Sequence, residues 1–146
     1  MLFAPIVLLE LGLALGVCLL ALWQGETAER LAAGLLIAAL SFTTILGKLA
    51  VPGYPLLELI ADGLTALGFL ALTLRYGNLW LGGAMLFYAA QFTLHSYYLV
   101  TDRPNDLFHA TVNNLDFVGV VLCMAVGTVT AIRRRLMRGR AAKPQA

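Results

Sequence analysis

Glu10, Lys48, Glu58, Asp62, Gln91, His95, Asn113 and Asp116 are polar side chains set inside long apolar runs. In hydrocarbon a charge at the centre of a span costs about 2.5 to 3.5 kcal/mol, so each of these groups needs a partner or a purpose. Carboxylates beside an imidazole hold protons and cations, and that is the chemistry this set would support. If Glu10, Glu58, Asp62 and Asp116 were all ionised, four negative charges would face the single positive charge of Lys48. Such an imbalance persists in a low dielectric only if some carboxylates are protonated, paired or bound to a cation.

The spacing of these residues is helical. Residues three or four apart share a helix face, and the polar residues fall on four such stripes: Ser41, Thr44 and Lys48; Glu58, Asp62 and Thr65; Tyr88, Gln91, His95 and Tyr98; His109, Asn113 and Asp116. Together with Glu10 they lie at matched depth, and the simplest arrangement has them face one another around a shared polar cavity. Lys48, Glu58 and His109 lie near enough to a span end to reach water by snorkelling. The short Val51–Pro55 connection suggests an ion pair between Lys48 and Glu58.

The elements that must position these stripes follow from composition. Of 146 residues, 60% are hydrophobic and 12% charged, about half the charged share of a soluble domain. Five apolar stretches, about 2–23, 31–51, 56–74, 79–100 and 107–132, are each close to the roughly 20 residues that cross a bilayer as a helix. They are separated by Gln24–Arg30, by Pro52 and Pro55 around Gly53, by Arg75–Asn78 and by Thr101–Asp106, all poor helix interior or rich in turn residues. Runs rich in Leu, Ala and Gly without two-residue alternation do not suit a membrane barrel. The expectation is an all-α bundle of five transmembrane helices over 1–135, followed by a basic, flexible tail over 136–146. The first run has no basic residue before it and is too long for a secretory signal, so it is expected to stay attached.

Six of the ten basic residues, Arg133, Arg134, Arg135, Arg138, Arg140 and Lys143, lie in the last fourteen positions. A cationic segment directly after an apolar helix points to an anionic cytoplasmic leaflet rather than nucleic acid, with Arg133, Arg134, Arg135 and Arg138 as lipid contacts. With Arg30 and Arg75 on the same side, and only Lys48 and Arg103 opposite, the charge distribution predicts a cytoplasmic C-terminus, an external N-terminus and a plasma (inner) membrane location. Cys18 and Cys123 sit in apolar runs and match no metal or redox spacing.

These observations support a small integral membrane protein, a non-enzymatic accessory or interaction subunit whose polar cluster organises the bundle. Gly12 and Gly16, spaced as G-x-x-x-G, would admit another helix, in a homo-oligomer or a larger complex. The alternative is a proton- or cation-linked transporter or sensor, although no inverted repeat and no pair of broken helices marks a midplane site. His95, Asp62 and Asp116 supply ligand types for a metal, without a Glu-x-x-His or His-x-x-x-His pair, and His95 with His109 is the one imidazole pair that could hold haem. Acid–base catalysis on a lipid head group by His95 with Asp62 or Asp116 is a thinner reading than transport or metal binding, because no catalytic motif stands in the chain.

Overall fold

The computed structural model describes residues 3–49 and 53–141, and side chains within 8–49 and 53–138. Five helices follow one another: α1 (Phe3–Gln24), α2 (Thr27–Lys48), α3 (Tyr54–Tyr76), α4 (Leu79–Val100) and α5 (Leu107–Ala141). Among the described residues there is no strand. The connections are short, so successive helices run antiparallel. Each packs against its neighbours in sequence, α1 closes the ring against α5, and α2 also reaches α5.

The ends of the helices have local causes. Glu29 reaches back to accept a hydrogen bond from the Glu26 N–H at 3.0 Å, satisfying a donor that the first turn leaves free. That contact starts α2 at Thr27, a turn before the expected residue 31. Gly53, at φ 79°, precedes α3, and Pro55 lies in its first turn, where a missing N–H costs nothing. Gly77, at φ 64°, ends α3 by donating its N–H to the Thr73 carbonyl at 2.8 Å. The left-handed conformation at both positions is one that glycine adopts without a side-chain penalty.

α5 departs most from expectation. The basic segment expected to be a flexible tail from residue 136 continues the helix to Ala141. Arginine, leucine, methionine and alanine are good helix formers, and cations near a helix C-terminus complement its dipole. Residues 142–146 lie outside the described residues.

Among the described residues three helices are long and apolar enough to cross a membrane: α2, α3 and the Leu107–Arg138 part of α5. The expectation of five is therefore met for three. The fully described part of α1, Leu8–Gln24, is a shorter apolar helix, and α4 is diluted by Tyr88, Gln91, His95, Ser96, Tyr97 and Tyr98.

The outside of the bundle is apolar on every helix, with Leu9, Leu19, Leu64, Leu86, Leu115 and Leu122 all exposed. The inside is built from small residues: Ala14, Cys18, Ala21, Ala32, Ala33 and Ala84 are fully buried around Leu36, Phe69, Leu81, Val120 and Met124. Small residues let helices approach closely where lipid supplies no hydrophobic drive for association. Gly127 shows how closely: a Cβ there would stand 2.4 Å from the Trp80 ring. Buried Thr65 and Thr128 return their hydroxyls to carbonyls four residues earlier, at 2.7 and 2.9 Å.

Candidate functional site

The predicted polar residues separate into a connected group and several outliers. On α3 the stripe of Glu58, Asp62 and Thr65 faces inward, with Asp62 and Thr65 buried. On α4 the stripe of Tyr88, Gln91, His95 and Tyr98 meets it, with Tyr88, His95 and Tyr98 buried. His95 Nδ1 lies 2.5 Å from Asp62 Oδ2. Both residues are almost wholly out of solvent, 8% and 4% exposed, and a hydrogen bond between imidazole and carboxyl is strengthened when either partner is ionised. Gln91 donates to Asn113 at 3.1 Å, tying α4 to α5.

A cavity of about 250 Å³ opens beside these groups, and every helix contributes to its wall. Glu10 comes from α1, Thr43 and Thr44 from α2, Glu58 and Asp62 from α3, Tyr88 and Gln91 from α4, and Asn113, Asn114 and Phe117 from α5. Among the described residues, three carboxylates and no basic side chain line this chamber. On its apolar side Tyr88 stacks on buried Phe69, with centroids 5.5 Å apart.

A second cavity, about 190 Å³, lies toward the α4–α5 loop and is lined by Tyr54, Glu58, His95, Tyr98, Asp102, Arg103, Asn105 and His109, among others. Among the described residues Glu58 is the one in both linings. The vestibule wall is braced. His109 stacks on His95 at 5.1 Å and meets the edge of Tyr98 at 4.7 Å. The Tyr98 hydroxyl donates to Asp106 at 2.7 Å, and Asp106 also accepts the His109 N–H at 2.9 Å, capping α5. These contacts, the His109 N–H first and the Tyr98 hydroxyl second, hold the Asp106 carboxyl below its ordinary value.

Several expectations change. Lys48 makes no ion pair among the described residues; it stands at the exposed end of α2, while Glu58 accepts a hydrogen bond from Tyr54 at 3.3 Å, one turn away on its own helix. Asp116 is buried at 7% exposure, yet its Oδ2 has no hydrogen-bond partner among the described residues. His95, Asp62 and Asp116 do not form a metal group: among the described residues no cluster of three or more His, Cys, Asp or Glu could hold an ion. The imidazole pair does not suit haem, because His95 and His109 lie face to face at 26° and would have to aim ring nitrogens, not ring faces, at an iron between them. Arg133, Arg134, Arg135 and Arg138 are exposed, but Arg138 reaches Glu26 at 3.2 Å and so is not solely a lipid contact.

Tyr54, Thr43, Asn114, Phe117 and Asp106 belong to this region and were not among the expected site residues. The four-residue step from Tyr54 to Glu58 and the position of Asp106 before an apolar helix were the sequence signals for two of them. No family model, curated protein or solved structure matches the chain.

Proposed function

We propose that the protein is a five-span integral membrane protein that binds a proton or a small cationic solute in the chamber between its helices, as a sensor or accessory subunit rather than an enzyme. The observation that carries this reading is that all five helices give side chains to one cavity whose lining, among the described residues, holds three carboxylates and no basic side chain. A cluster serving assembly alone would close on itself, since unfilled polar space in a membrane is costly.

Five spans are supported by the exposed leucines of α1 and α4 as well as those of the three helices long and apolar enough to cross by themselves, and by neighbours that protect the polar face of α4. The contact between Arg138 and Glu26 supports an arrangement in which the end of α5 and the α1–α2 turn share one side of the membrane. Arg30, Arg75 and the α5 arginines would then face an anionic cytoplasmic leaflet, with the vestibule and N-terminus outside the plasma membrane. A second reading, an assembly subunit, is favoured by Gly12 and Gly16, which are exposed and have nothing within 4 Å of where a Cβ would stand. The two readings are compatible if the partner helix lies on α1.

Access and charge selection test the chamber. In Thr43→Cys protein, a cationic methanethiosulfonate is expected to react about 10-fold faster than its anionic counterpart, a difference of about 1.4 kcal/mol between their activation free energies. Glu10→Gln, Glu58→Gln and Asp62→Asn together should remove the preference. An unreactive cysteine, or one that does not discriminate charge, would refute the reading.

A further inference from the structure

The chamber and the vestibule adjoin at Glu58, and their other described lining residues differ. Asp62 lines the chamber and is absent from the vestibule wall, whereas His95 lines the vestibule and is absent from the chamber wall. The two side chains meet across the partition at 2.5 Å. Resting on the chamber reading above, we infer that His95 and Asp62 form a proton relay through this partition, so that the charge of the chamber follows the proton concentration at the vestibule.

The geometry suits transfer. A donor and acceptor must lie within hydrogen-bond reach, and an imidazole can take a proton on one ring nitrogen while releasing another from the second. With the Nδ1 proton donated to the Asp62 carboxylate, a hydronium ion in the vestibule gives its proton to Nε2, forming that N–H bond and leaving water. The Nδ1–H bond then breaks as its proton passes to Asp62 Oδ2. The ring is left neutral with its proton on Nε2, and Asp62 becomes a carboxylic acid on the chamber side. The reverse sequence returns the proton.

The surroundings keep the ring in place and define the competitors. Stacking on His109, which Tyr98 contacts in turn, fixes the ring plane, and Asp106 anchors both the Tyr98 hydroxyl and the start of α5. The titratable groups within electrostatic reach of His95 are Asp62 and Glu58 on α3, His109 and Asp116 on α5, with Tyr98 three residues along its own helix. Glu58, bordering both cavities, is the alternative carrier. It has no hydrogen bond to Asp62 and is held by Tyr54 instead.

Infrared difference spectroscopy after a pH jump, on full-length protein in lipid vesicles, tests the relay. The carboxylic-acid band that Asp62→Asn removes is assigned to Asp62, and its rise is timed. His95→Gln keeps a hydrogen-bonding group but cannot pass a proton between two ring nitrogens. It is expected to slow the rise about 100-fold, the scale of a positioned acid–base group, whereas Thr93→Val, on the exposed face of the same helix, leaves the rate unchanged; an equal slowing by Glu58→Gln would assign the carriage to Glu58.

A second arm leaves the helices untouched. Asn105→Cys, on the exposed loop bordering the vestibule, is coupled to a bulky, membrane-impermeant maleimide, and the same slowing is expected. An Asp62 band that rises at the unmodified rate in both arms overturns the relay, and so does a rate controlled by Glu58. If Thr43→Cys keeps its charge preference in that case, the relay alone has failed. If the preference is absent in the parent protein, the chamber reading has failed first.

Discussion

Toward the end that carries Arg30, Arg75 and Arg133, the helices meet through alanine, glycine and a few large side chains such as Phe69, Leu81 and Met124, all at or near 0% exposure. Toward the 101–106 loop the same five helices stand apart around a chamber of about 250 Å³ lined by Glu10, Glu58 and Asp62. The first region is held by close van der Waals contact, which separation into lipid would lose. The second is held by a few directional bonds, from His95 to Asp62, Gln91 to Asn113 and Tyr98 to Asp106. The difference teaches where stability was given up. A bundle optimised only for cohesion would have filled the chamber and would not bury an unpartnered carboxylate oxygen on Asp116.

The largest expected effect falls in the packed region. Phe69→Ala should destabilise the bundle by about 3 kcal/mol, at the low end for a buried aromatic, because loss of packing remains in lipid while the transfer from water does not. Unfolding in mixed detergent micelles would measure it. A loss near zero would mean that this end is as loosely determined as the other.

Asp116→Leu should act in the opposite direction. Removing a buried, unpartnered acceptor should leave stability unchanged or raise it by about 1 kcal/mol in the same assay. A strong destabilisation would show that Asp116 has a partner essential to the polar region.

Asp106 should give the smallest effect, since it lies at the surface. The folded protein holds its carboxyl below the ordinary value, through the His109 N–H and then the Tyr98 hydroxyl, so folding favours the ionised form. Its contribution is full above the ordinary carboxylate range and is lost as pH falls through the lowered value. Asp106→Asn should flatten the acid limb of a stability–pH profile, and an unchanged acid limb would count against the cap.

Much of this architecture is legible one helix at a time. Glu58 and Asp62, or Gln91 and His95, share a face because of the 3.6-residue period, and no partner is needed to see it. The boundaries of α4 are likewise evident from Asn78 and the polar loop after Val100. What could not be read was which polar groups meet. Lys48 and Glu58 are close along the chain, yet Tyr54 supplies the contact from one turn away. Asp62 and His95, 33 residues apart, pair because α3 and α4 form an antiparallel hairpin whose register is set by packing. Asp116 shares a stripe with Asn113, but only Asn113 finds Gln91.

The sequence by itself determined that this chain folds as helices with apolar exteriors, that its charges divide between a cationic end and an acidic interior, and that the polar residues form one-sided stripes. Periodicity and the cost of burying charge are local properties, carried by each segment alone. Only the tertiary structure decided that all five helices line one chamber, that Asp62 belongs to its wall and His95 to that of the vestibule, and that Asp116 is left without a partner among the described residues. Those outcomes depend on the rotation and register of one helix against another, which arise from the meeting of surfaces that no single segment contains.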